Sequence, residues 1–311
     1  MKTIIFILTV LYSASIANAQ YTKDNLRLEA AAKSKYHYQN LQLYPIYANA
    51  VFVAQHRNVG KYVALKDALE KKKVKITESN GGEVNTLFIE NISKDTIMVL
   101  SGEVVQGGKQ DRMIAQDFIL YPKSGKKDIS VFCVEHGRWQ PADQGMEFKK
   151  YYTISSNEVR KAATVKKDQS EVWKKVAETT DANKASTSTG TLTALKESGD
   201  FSNELKKYTD FFGNLIAPEQ DIIGVIAVSG DGILGCDMFA THELLVEHYP
   251  NLINSYSTEA ITTGKPVTLS NEKVNQYLQK IIDDESKQES EVQKKGTMLK
   301  DGKRKIHIST F

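Results

Sequence analysis

The 311 residues carry 41 basic and 38 acidic side chains and are 41% hydrophobic, which suits a globular protein of one large domain or two small ones. Lysine pairs are scattered among Asp and Glu, a pattern of solvated surface that excludes a concentrated nucleic-acid groove. Two cysteines, Cys133 and Cys236, exclude a disulfide framework and leave open a single bridge.

The chain begins with a secretory pattern: Lys2, an apolar run over residues 4–11, and Ala17-Asn18-Ala19 as a small-residue cleavage site. The run is too short to span a bilayer. No cysteine follows it, so lipoprotein processing is not expected. Residues 1–19 are thus expected to be a signal peptide. The mature chain, 20–311, is expected to be secreted or periplasmic, with no membrane insertion after cleavage.

Residues 24–35 (DNLRLEAAAKSK) favour a helix by propensity. Residues 41–53 alternate and carry Pro45, an edge-strand pattern. Residues 62–72 place Tyr62, Leu65 and Leu69 on one helical stripe. A strand over 74–77 and a turn at Gly81-Gly82 follow. Four β-rich runs, 86–91, 96–101, 112–121 and 128–135, are separated by turn chemistry and imply an antiparallel sheet or sandwich.

The composition then shifts. Residues 155–184 are helical and charged, with Val172, Trp173 and Val176 as the apolar face. Residues 185–190 (ASTSTG) read as a loop, and 205–215 as a helix. Strands 222–228 and 233–239 pair across Gly230-Asp231-Gly232. Thr241 caps a helix that Pro250 is expected to end, and 252–261 forms another. Ser270 caps a longer helix, and a final hairpin turns at Asp301-Gly302. The expected fold class is α+β, a single domain over 20–311 with a helical segment at about 155–215 between two β-rich parts.

Two motifs are decoys. Gly230 to Gly235 fits G-x-G-x-x-G, but dinucleotide binding needs a helix opening within the glycines, and here a strand follows. His242 and His248 lie six apart, about 240° around a helix, whereas zinc-protease histidines are four apart. No metal site and no cofactor are expected.

The informative stretch is 101–139. Glu103, Gln110, Arg112, Cys133, Glu135, Arg138 and Trp139 lie on or beside successive strands. Polar side chains inside a sheet protein are costly unless paired, so the cluster marks a site or an ion-pair network. Cys133 and Glu135 share a strand face, as do Arg112 and Ile114, each face apolar until its charged end. Antiparallel neighbours would make Arg112 and Glu135 partners, with Glu103 joining the same rim. As a ligand site, Glu103, Gln110, Arg112, Glu135, Arg138 and Trp139 would form a polar pocket, the arginines clamping an anion. Cys133 with His136 as base is a weaker alternative, because parity sets the thiol among apolar neighbours. As scaffold, the same charges would close the end of the core with Trp139 as a lid.

These residues carry a family resemblance. The runs GE-x-x-x-GGKQDR (102–112) and CVEHGRW (133–139) resemble the ARG-and-rhodanese-phosphatase-superfamily-associated protein domain. YVALKDALEKKKVKITE (62–78), LFIENISKDTIMVL (87–100), QSEVW (169–173), STSTGTL (186–192) and GVIAVSGDGILGCDMF (224–239) fit it too. His136 replaces the usual glutamine, and Cys236 sits where a small residue is common. The resemblance implies that Trp173 and the 186–190 loop belong to one fold unit with the sheet. It implies no reaction, because the family's name records an association with other domains.

The expectation is therefore a ligand-binding or interaction module with a polar pocket at one end of the sheet. Its partner would be an anionic small molecule, a glycan or an envelope protein. The alternatives are an enzyme, a hydrolase or transferase on an anionic small molecule or glycan using the same pocket, and a structural envelope protein.

Overall fold

A computed structural model describes residues 20–29, 34–79, 83–138 and 147–311. The signal sequence, the Gly81-Gly82 turn and Trp139 lie outside the described residues. Chain order begins with β1 (Leu26–Leu28), β2 (His37–Tyr38), β3 (Leu41–Ala48), α1 (Ala50–His56), β4 (Val63–Ala64) and α2 (Leu65–Glu70). Then come β5 (Val74–Glu78), β6 (Thr86–Asn91), β7 (Ile97–Val99), β8 (Glu103–Gly107), β9 (Arg112–Ile114), β10 (Phe118–Leu120), β11 (Lys126–Cys133) and β12 (Glu147–Ile154). The helical stretch holds α3 (Asn157–Lys161), a π turn at Ala162–Lys166, α4 (Gln169–Ala182), a 3-10 turn at Leu192–Glu197 and α5 (Gly199–Phe212). Last are β13 (Ile222–Ser229), β14 (Gly232–Phe239), α6 (His242–Thr262), α7 (Asn271–Ile282), α8 (Glu285–Gln293), β15 (Gly296–Asp301) and β16 (Arg304–Thr310).

Three sheets result. A seven-stranded antiparallel sheet runs β1-β3-β13-β14-β16-β15, with β2 also on β3. Period-two alternation divides its residues between two cores. Val225 and Ala227 face α5 and α6; Ile226 and Val228 face α1, α7 and α8. That double cover explains why every residue of β13 is buried. A small sheet, β10-β7-β4, contains one parallel pairing, β4 with β7. The expected antiparallel sheet or sandwich is antiparallel, and part of it closes into a barrel, β11-β6-β5-β12-β8-β9. Ile76, Leu87, Val105, Ile114, Val131 and Phe148 fill it, while Val104, Met113 and Val134 face outward onto the α3–α5 region. The fold is α+β.

Several expectations fail for identifiable reasons. Residues 26–28 are strand, because pairing Leu26 with Ala48 and burying Leu26 outweighs helix propensity. Beyond Ala48 the chain turns into α1, where Asn49 accepts from the Val51 and Phe52 N–H groups. β3 lies inside the sheet, yet Pro45 falls between the stretches paired with β2 and β1, where that flank is open. The run 112–121 splits into β9 and β10 in different sheets, with Asp117 in the break. Pro250 does not end α6. The helix continues to Thr262, with buried Leu252, Ile253 and Tyr256 outweighing the lost backbone bond. The Gly230-Asp231 turn does join β13 and β14 as a hairpin, with Gly230 at φ +60°. No helix among the described residues is long and apolar enough to cross a membrane.

Candidate functional site

Strand register gathers the ends of β5, β8 and β11 with the starts of β6, β9 and β12 at one mouth of the barrel. Parity directs Glu78, Arg112 and Cys133 inward there, in line with Ile76, Ile114 and Val131. Gly108 lies in the loop above them at φ +52°. A Cβ there would meet Phe148 Cζ at 2.4 Å and Glu78 Oε1 at 2.5 Å, so only glycine fits.

Arg138 ties the segments at the rim of this mouth together. Its Nε and Nη2 donate to Glu135 Oε2 at 2.8 and 2.7 Å, and Nη2 also reaches Asp111 Oδ1 at 3.1 Å. Nη1 donates to the Gly108 carbonyl at 3.1 Å. Glu135 Oε2 also accepts the Asp111 N–H at 3.1 Å, and Asp111 Oδ2 takes the Thr191 and Thr193 hydroxyls at 3.2 and 3.0 Å. The 186–192 loop is held to the same segment, with Gly137 N–H on Thr189 O and Leu192 N–H on Val134 O. Gln169, at the start of α4, donates its amide to Cys133 O and accepts Cys133 N–H, each at 2.9 Å.

Arg112 is different. It is fully buried, and only Nη1 is bonded, to Gln110 Oε1 at 3.2 Å. Nε and Nη2 have no partner among the described residues, nor does the buried Glu78 Oε2. Gln110 donates in turn to the His136 carbonyl.

The expected constellation is therefore partly assembled. Gln110, Arg112, Glu135 and Arg138 meet at one mouth, with Arg112 and Glu135 both acting on the Cys133 thiol. The ion pair, however, is Glu135–Arg138; Arg112 bonds Gln110 instead. Glu103 does not join them. It starts β8, whose other end, Gly107, lies at the mouth, so the two are about 13 Å apart along the strand. Cys133 faces the barrel interior, where burial raises its thiol, and His136 packs edge-on against Trp173 at 4.5 Å outside it. Cys133 and Cys236 are both free and buried, which removes the bridge left open above.

A second buried polar chain went unread. His307 Nδ1 donates to Asp117 Oδ2 at 3.2 Å and Nε2 to Asp237 Oδ1 at 2.9 Å. Arg160 Nη2 lies 3.5 Å from Asp237 Oδ1 and donates to Ser309 Oγ at 3.1 Å, and Tyr256 donates to Asp237 Oδ2. Burial alone would lower the His307 imidazole, but bonds to the two aspartates push it up to about 9. Burial opposes ionisation of Asp237 too, yet Arg160 and His307 hold it below its ordinary value. Glu103, beside this chain, is pushed by burial up to about 8, its Oε2 accepting the Leu100 N–H at 2.8 Å. His248, stacked on Phe239, is pushed by burial down to about 3. The available signal was Asp237, a lone carboxylate within an otherwise apolar strand. Among the described residues no group of three His, Cys, Asp or Glu is arranged to hold a metal.

The family model for ARPP-1, the ARG and Rhodanese-Phosphatase-superfamily-associated Protein domain, matches residues 29–309. The chain belongs to this family. No curated protein and no solved structure matches it. The ARPP-1 match spans barrel, helical stretch and large sheet alike. The GGKQDR, CVEHGR, QSEVW and STSTGTL runs that suggested it meet at the barrel mouth.

Proposed function

We propose that the barrel mouth binds a small carboxylate that also carries a hydrogen-bond donor, and that Arg112 grips it. The observation that carries this is the pair of buried Arg112 nitrogens without a partner among the described residues. Nε and Nη2 share one edge of the guanidinium, the edge that takes a carboxylate side-on through two parallel bonds. A buried guanidinium with that edge empty is costly, and a matching anion removes the cost. Glu78 Oε2, buried and unbonded at the same mouth, would accept the ligand's hydroxyl or amine. Glu135 and Arg138 act as scaffold in this reading, their charges already satisfied by each other and by Asp111.

The test is a thermal-shift and calorimetric screen of the 20–311 chain against acetate, glycolate, glycine and phosphate. A hydroxy- or aminocarboxylate at a hundredfold its Kd should raise Tm by about 5 °C for a chain of this size. Arg112→Gln should abolish that shift while remaining folded. Absence of any shift, or a shift that survives Arg112→Gln, refutes the reading.

We also infer export, with cleavage before Gln20. Supporting this is the small-residue site Ala17-Asn18-Ala19 after a short apolar run; the Asn25 bond to Gln20 O at 2.7 Å and the buried Tyr21 are contacts that do not involve residues 1–19. Mass spectrometry of the protein recovered outside the cytoplasm should show Gln20 as the first residue; retention of Met1 refutes it.

A further inference from the structure

Outside the barrel a cleft of about 940 Å³ opens between the barrel wall and the far edge of the large sheet. β11 and the β9–β10 link form one wall; the π turn and the α8–β15 junction form the other. Its size sits at the upper end of the range for small-molecule sites, and crevices between packed layers are where such sites concentrate. A π turn in its wall adds a feature that recurs at functional sites.

The chemistry of the lining is selective. Asp117 is its one carboxylate and Lys167 its one ammonium among the described residues; amides, hydroxyls and apolar groups make up the rest. Asp117 is already balanced by His307, and its Oδ2 also accepts from Thr297 at 2.8 Å. Its Oδ1 accepts from the Ser101 N–H at 2.7 Å, and the side chain is only 2% exposed, so Asp117 is spent inside the fold and offers the cleft no free acceptor. Gln116, Ser130 and Gln293 make no side-chain hydrogen bond among the described residues. Amide side chains donate and accept at once, which matches sugar hydroxyls, themselves both donors and acceptors. Phe132, half-buried in the same wall, offers a ring for the C–H face of a pyranose.

We propose that this cleft binds a neutral oligosaccharide. A sugar ring packs on Phe132, and its hydroxyls bond Gln116, Gln293 and Ser130. The near-zero charge of the lining disfavours anionic and strongly basic ligands, which gain nothing from amides that a neutral sugar does not.

The experiment is isothermal titration of the 20–311 chain with cellotriose, chitotriose, maltotriose and xylotriose, alongside glucuronate and a basic tripeptide. At least one neutral trisaccharide should bind. Gln116→Ala and Gln293→Ala should each weaken it about tenfold, as expected for one or two lost hydrogen bonds. Both side chains are exposed and unbonded, so neither change should alter the melting temperature. Arg112→Gln should leave trisaccharide binding intact, which separates this cleft from the barrel mouth. The proposal falls if no neutral trisaccharide binds, if binding is unchanged in both glutamine variants, or if only the charged probes bind.

Discussion

Arg138→Met tests whether the tie at the rim of the barrel mouth holds the fold together. Glu135 and Asp111 have side chains only 4% and 6% exposed, and Arg138 is 24% exposed. Without the guanidinium, Asp111 keeps the Gly107 N–H and two threonine hydroxyls. Glu135 keeps only the Asp111 N–H, so it is the carboxylate left uncompensated. Breaking a fully buried pair costs roughly 3–5 kcal/mol, and an exposed pair about 0–1. Because the outer quarter of Arg138 admits water, the expected loss is at the lower buried value, about 3 kcal/mol. Glu135→Leu should cost about 2 kcal/mol, since it leaves the Asp111 N–H without an acceptor. The double variant should cost about 2–3 kcal/mol rather than the sum, a coupling of about 2–3 kcal/mol. Urea melts of the 20–311 chain with unchanged slopes measure all three. Lys206→Met, which removes an ion pair exposed by 70% and 62%, is the control and should stay within about 0.5 kcal/mol. A loss below about 1 kcal/mol for Arg138→Met, or additive singles, would refute the argument that these charges are desolvated together.

Two further outcomes are expected. His307 titrates at about 9 in the fold and near ~6.5 unfolded, so its stabilising contribution is complete below about pH 6.5 and is lost as pH rises through 9. Glu103, at about 8 in the fold against ~4.3 unfolded, acts with the same sign over a lower window. Tm should therefore fall from pH 6.5 to 9.5, and Glu103→Gln should flatten the part below pH 8; a flat or rising wild-type profile contradicts both assignments. Gly108→Ala should cost about 2–3 kcal/mol by urea melt, because the added carbon meets Phe148 and Glu78. Gly302→Ala, also at positive φ but in open space, should cost only about 1 kcal/mol, and equal losses would show that backbone strain alone is at work.

Much of the architecture was legible where local patterning and burial agree. The β13–β14 hairpin, the Ser270-capped helix and the last hairpin follow from alternation, caps and turn residues. What escaped depends on partners distant in sequence. β8 is short and begins with a glutamate, so nothing local marks it as the strand that completes a barrel. Residues 26–28 look helical until Ala48 offers a ladder. At the site, parity correctly sent Arg112 and Cys133 inward and brought Glu135 to the same mouth. It could not show that Arg138, three residues from Glu135, would capture the carboxylate first. Nor could it place Glu103 at the other end of β8. The Asp117–His307–Asp237 chain joins segments 190 and 70 residues apart, and no spacing rule reaches that far.

The amide of Gln169 has a consequence for how the molecule comes apart. It occupies both hydrogen-bonding groups of Cys133, serving as one rung of a ladder that no strand supplies. Glutamate could not donate to the carbonyl, and asparagine would fall short by one methylene, so the rung depends on this one side-chain type. The seam of the barrel is therefore finished by a helix that follows it in the chain. A fragment ending at Ile154 would contain all six barrel strands and still lack that rung, leaving an open backbone pair at the end of β11 available to another molecule's strand. Barrel and helical stretch are in this sense one cooperative body, and removing the second converts a sealed edge into an adhesive one.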